Sequence, residues 1–146
     1  INSELRRRQK LNADTGTKHI VEFRQKEYHL RGPNGEPGEN YPFLFIIIDE
    51  FAEMIADRAE FRAELESITR VGRAQGVHLL LAAQRPTGVT DQMRSNIKFR
   101  ICLRVETPDD SREMLRRTEA AFLPPGIPGR GYLQLGNDSR ELIQVS

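Results

Sequence analysis

Phe43-Leu44-Phe45-Ile46-Ile47-Ile48-Asp49-Glu50 runs six apolar residues straight into two adjacent carboxylates. An unbroken apolar run rich in β-branched side chains reads as a strand covered on both faces, as in a parallel sheet with helices on each side. The two acids then fall at the carboxyl end of that strand. In open α/β sheets this rim is where ligands bind.

The neighbouring segments agree with that reading. Upstream, residues 31–42 hold Gly32, Pro33, Gly35, Pro37 and Gly38, a composition that predicts a surface loop. Downstream, Phe61, Leu65, Ile68 and Val71 make one apolar stripe on a helix over about 60–75, which Gly76 stops. Val77 to Ala83 is a second buried strand. Strand, helix and strand in this order form a βαβ unit, which demands a parallel pair and a right-handed crossover.

Further on, Phe99, Ile101, Leu103 and Val105 alternate with Lys98, Arg100, Cys102 and Arg104. Period two predicts an inward apolar face and an outward basic one, the latter a candidate intersubunit or substrate surface. A short helix starts at Pro108, and residues 124–129 form a loop. The segments 131–135 and 142–145 read as a closing hairpin around Asn137 and Asp138. At the other end, a helix over 4–11 capped by Asn2 or Ser3 and a second over 19–30 precede the loop. The fold class is therefore α/β.

Bulk properties exclude several classes. The 146 residues suffice for one domain, and 38% hydrophobic with 29% charged residues reads as a soluble globular chain. A net charge of +1 argues against a protein that coats nucleic acid along its whole surface. Cys102 is the only cysteine, which rules out an internal disulfide and a cysteine zinc site and fits a reducing compartment. No apolar run is long enough to cross a bilayer.

At the rim, Asp49 can hold Mg²⁺ on a bound nucleotide and Glu50 can polarise an attacking water. The alternative is that both acids only favour the start of the following helix through its dipole. Gln84 ends the second strand, where it can touch a terminal phosphate or the water, or simply bond to backbone. Arginines cluster at Arg6, Arg7 and Arg8, at Arg70 and Arg73, and at Arg100 and Arg104. A guanidinium supplied across a subunit boundary can stabilise phosphoryl charge, and an ordinary ion pair is the alternative for each. No G-x-x-x-x-G-K-[ST] occurs in these residues, so the cradle for a triphosphate is missing.

Five blocks in order carry a resemblance: Leu44 to Glu53, Arg70 to Leu80, Ala82-Ala83-Gln84-Arg85-Pro86, Ser95 to Leu115, and Pro128 to Gly136. From Tyr41 on, the chain resembles the FtsK/SpoIIIE motor ATPases, and among them the first ATPase domain of the EccC/EssC membrane motors of type VII secretion. The resemblance implies a RecA-like, P-loop NTPase-type fold with a mostly parallel sheet, flanking helices and a closing hairpin. Residues 1–146 would be the C-terminal part of one ATPase domain, without its Walker A segment. It further implies ATP and Mg²⁺, a hexameric ring, secreted protein substrates and a cytosolic place on a membrane-anchored parent. Asp49 and Glu50 take the Walker B positions, Gln84 the sensor position, and Arg7 and Arg8 the place of an arginine finger. A DNA translocase of the same superfamily is the alternative. A third reading, from another class, is a degenerate module that docks a partner peptide.

Overall fold

A computed structural model describes residues 1–85, 87–137 and 139–145. Helix α1 (Asn2–Asp14) and helix α2 (Ile20–Gln25) lead into strand β1 (Leu44–Ile48), helix α3 (Phe51–Asp57), helix α4 (Glu60–Val71) and strand β2 (Val77–Leu81). Helix α5 (Asp91–Asn96), strand β3 (Phe99–Leu103), helix α6 (Pro108–Leu115), a 3₁₀ turn (Glu119–Phe122) and strands β4 (Arg130–Leu135) and β5 (Ser139–Gln144) complete the described chain. None of the described helices is long and apolar enough to cross a membrane.

The βαβ unit forms as its sequence dictates. β1 and β2 pair in parallel, with Leu44 opposite Val77 and Ile48 opposite Leu81. Leu65 and Ile68 of α4, Phe51 and Ile55 of α3 and Met93 of α5 close a core on Leu44, Ile46, Ile48, Leu79 and Leu81. α4 ends earlier than the sequence predicts, at Val71. Gly72 is buried under Val77, and a Cβ there would lie 2.6 Å from the Ile68 carbonyl oxygen, so the chain turns down onto the sheet. Gly76 then takes φ +66°, which only glycine adopts freely.

β1 departs from expectation. It is covered on one face only: Phe45 and Ile47 are each 71% exposed. The helices that pack on β1 and β2 all lie on the Ile46 side, and no described element covers the other. His78 stacks on Phe45 at 4.8 Å and leans on Phe43 at 5.7 Å across that bare face.

The closing hairpin is present, with Tyr132 opposite Leu142 and Leu135 opposite Ser139; Asp138, expected at its turn, lies outside the described residues. β3 joins it antiparallel, giving a three-stranded sheet β3–β4–β5. The phase of β3 is inverted from expectation. Arg100 and Cys102 are buried, and Phe99, Ile101 and Leu103 are exposed. The reason is what α6 and the 3₁₀ turn supply: Leu115, Ala120 and Leu123 pack on Cys102 and so fix the inner face. Arg100 bonds the carbonyl oxygens of Gly136 and Met114 and Asn137 Oδ1. The outward basic face expected here is therefore absent, since one of its members lies inside.

Three smaller differences concern the N-terminal region. α1 begins at Asn2 behind an uncapped Ile1 and continues to Asp14. α2 stops at Gln25 because Glu27 turns to φ +57°, with His19 Nδ1 accepting from the Glu22 N–H at its start. Tyr41, at the end of the expected loop, is buried edge-on to Phe23 at 5.0 Å.

Candidate functional site

Asp49 and Glu50 follow β1 directly, at the carboxyl rim of the parallel pair. The ladder reaches this rim: Ala82 N–H donates to the Ile48 carbonyl at 2.9 Å, and Phe51 N–H donates to the Ala82 carbonyl at 3.1 Å. The second bond ties the acid turn to the end of β2, two residues before Gln84. Gln84 thus follows the strand next to the acids, as its sequence position implies, and it is exposed with Arg85 in the loop beyond. Pro86, the last residue of that motif, lies outside the described residues.

Glu50 caps α3 with φ 51° and ψ 44°, a left-handed conformation. Non-glycine residues pay for this geometry in strain of order 1–3 kcal/mol, and such residues cluster at functional sites. Glu50 N–H donates to Asp49 Oδ1 at 3.0 Å, which orients the first carboxylate within the turn. Neither acid is in an ion pair among the described residues. Two unpaired oxygen-donor groups at an open rim suit a hard cation such as Mg²⁺. No cluster of three or more His, Cys, Asp or Glu able to hold a metal occurs among the described residues. Such an ion would therefore need nucleotide phosphates and water as its other ligands, which is its usual mode.

The structure separates the arginine-finger candidates. Arg8 is 2% exposed. Its guanidinium donates to the carbonyls of Pro42 at 2.7 Å and Gln75 at 2.9 Å, pairs with Glu4 at 2.7 Å and lies over the Tyr41 ring. An arginine so engaged cannot reach another subunit, which corrects its assignment as a finger. Arg7 keeps an exposed side chain, held by Glu4 at 2.8 Å. The buried role of Arg8 had a signal: it shares the helical face of Leu5 and Asn12, both buried. The Glu50 conformation had none.

The sequence pattern of the FtsK/SpoIIIE family matches residues 1–88. The chain belongs to the FtsK/SpoIIIE family. The match includes residues 1–30, and so extends the likeness upstream of Tyr41. This family member is 44% identical over 146 residues to the type VII secretion system protein EssC of Staphylococcus aureus, covering 99% of the present chain and 9% of EssC. Among solved structures it is similar to the cytoplasmic domain of the type VII secretion ATPase EccC of Thermomonospora curvata, at 30% identity and TM-score 0.83, covering 99% of this chain and 16% of that one. The pCW3 conjugation coupling protein TcpA, solved with ATPγS, matches at 27% identity and TM-score 0.79, with 97% and 40% covered. Likeness to EccC and TcpA over nearly the whole chain fixes the α/β, P-loop ATPase fold, of which these residues form one part.

Proposed function

We propose that these residues form the hydrolysis-and-sensing part of an ATP-driven motor that exports proteins through a type VII secretion system. One observation carries the reading: two unpaired acids stand at the open rim of a parallel pair, one of them in a strained turn, hydrogen-bonded to the strand that leads to Gln84. The likeness to EssC and EccC over 99% of the chain supports protein export as the work done.

Bound Mg-ATP would supply the electrophilic terminal phosphate at this rim. Asp49, one of whose carboxylate oxygens accepts from the Glu50 amide, would hold the magnesium ion with the other oxygen, directly or through water. Glu50 accepts a proton from the attacking water. The Gln84 amide both donates and accepts, so it can orient that water and register the loss of the phosphate. Arg7, exposed on α1, is the residue able to reach a neighbouring subunit of a ring.

The test is Glu50→Gln in the longer polypeptide. Nucleotide binding should persist, and turnover should fall by about 10²–10⁴-fold, the range for losing a positioned general base. An unchanged rate would assign the chemistry to another carboxylate. TcpA, a conjugation coupling protein, gives a second reading its one specific support, a DNA-directed motor. Turnover stimulated by duplex DNA and indifferent to a secreted substrate would favour that reading.

A further inference from the structure

The loop that carries Gln84 is held at both ends. It leaves β2 after Leu81 and enters α5 at Asp91. At the near end, Phe51 N–H donates to the Ala82 carbonyl at 3.1 Å. At the far end stands Thr90, whose hydroxyl accepts from Met93 N–H at 3.2 Å and so caps α5. A hydroxyl used as a cap still has its proton to give. Thr90 donates it to Glu66 Oε1, on α4, at 2.7 Å. Between the two holds, Ala83 and Val89 rest on the core, while Gln84 and Arg85 stand exposed.

Glu66 has a nearer candidate partner. Arg70 lies four residues on along the same helix, the spacing of an ordinary surface pair, and both side chains line a polar groove with Ser67 and Gln92. No ion pair joins them among the described residues. The carboxylate instead accepts from a hydroxyl 24 residues away. Hydrogen bonds to a carboxylate are roughly twice as strong as neutral ones. A hydroxyl that accepts from an N–H while donating to a carboxylate is polarised by both, which strengthens each bond. Helix α5 has its own anchor, since Met93 is wholly buried in the core. What the bond to Glu66 adds is a fixed last residue for the loop.

We propose that Glu66 is a positioning residue for Gln84: acting through Thr90, it holds the far end of the loop and so keeps Gln84 at the rim. The proposal rests on the reading of Gln84 as the group that orients the attacking water. A loop tied at both ends samples fewer conformations than one tied at a single end. Misplacing a group by about 1 Å at a reacting centre costs up to about 10²-fold in rate.

Turnover by the longer polypeptide tests the tether. Glu66→Ala keeps a good helix former on α4. It should lower kcat by about 10-fold, short of the ~10²-fold of outright misplacement, and leave KM for ATP unchanged. Glu66→Gln, which keeps an acceptor for the Thr90 hydroxyl, should retain most of the turnover. Thr90→Asp separates the tether from the cap. An aspartate caps a helix as well as threonine does, but it has no proton to give and sets a second carboxylate against Glu66. It should lower kcat as far as Glu66→Ala does, and Thr90→Ser, which keeps both bonds, should not. Full turnover in Glu66→Ala or in Thr90→Asp would overturn the proposal, and so would a loss in Glu66→Gln as deep as in Glu66→Ala. Gln84→Ala tells the two claims apart. Alone it should lower kcat by more than Glu66→Ala, and adding Glu66→Ala should lower it no further. A second loss of comparable size in the double variant would show Glu66 acting elsewhere and sink the proposal. Lost turnover in Gln84→Ala beside normal turnover in Glu66→Ala overturns the tether and keeps the reading of Gln84. Normal turnover in Gln84→Ala overturns that reading, and the tether with it.

Discussion

Arg8 has three acceptors and almost no solvent. Its guanidinium joins α1 to Pro42, two residues before β1, and to the turn before β2, so one side chain sets the base of the parallel pair. Arg8→Met should cost about 2–4 kcal/mol in denaturant unfolding, because the buried Gln75 carbonyl and the partly buried Pro42 carbonyl lose a charged donor. Arg7→Ala, at an exposed pair, should cost under about 1 kcal/mol. The same network makes α1 acid-sensitive. Arg7 first, then Arg8, hold the Glu4 carboxyl down at about 2, against 4.5 unfolded. A depressed acid contributes stability that is full above the unfolded value and is lost as pH falls through the folded one. Stability should therefore decline between about pH 4.5 and 2, and Glu4→Gln should remove that part of the acid titration.

At the scale of elements, the turn from α4 into β2 leaves no room for a side chain at its first glycine. A methyl group at Gly72 would meet the Ile68 carbonyl oxygen at 2.6 Å and that of Val77 at 2.9 Å, both backbone. Gly72→Ala should therefore lower the melting temperature by several degrees, at a cost of about 1–3 kcal/mol for overpacking. The parallel pair was legible in sequence because an apolar run ending in acids constrains both the type of element and its polarity. β3 was legible as a strand but not in its phase. Alternation separates two faces without saying which is inward, and Arg100 counts as outward in any hydropathy pattern. Only Leu115, Ala120 and Leu123, distant in sequence, decide the matter by packing on Cys102. Asp49, Glu50 and Gln84 were legible from their strand ends. The left-handed turn at Glu50 was not, because no residue type marks it.

For the whole molecule, the uncovered side of β1 and β2 is the dominant fact. Phe45, Ile47 and Leu80 present apolar surface that a finished domain would bury. The 146-residue chain by itself should bind an environment-sensitive apolar dye and hydrolyse no ATP, since its residues include no phosphate cradle; steady-state turnover that Glu50→Gln abolishes would refute the second expectation. The bond between Phe51 N–H and the Ala82 carbonyl carries a consequence of its own. Ala82 sits on the stem of the Gln84 loop, and Phe51 is the first residue of α3. On the proposed reading, a tug on that stem that frees the carbonyl would also release the helix end and let Glu50 swing out of line. One peptide group would then serve as a latch through which a load on the loop throttles hydrolysis.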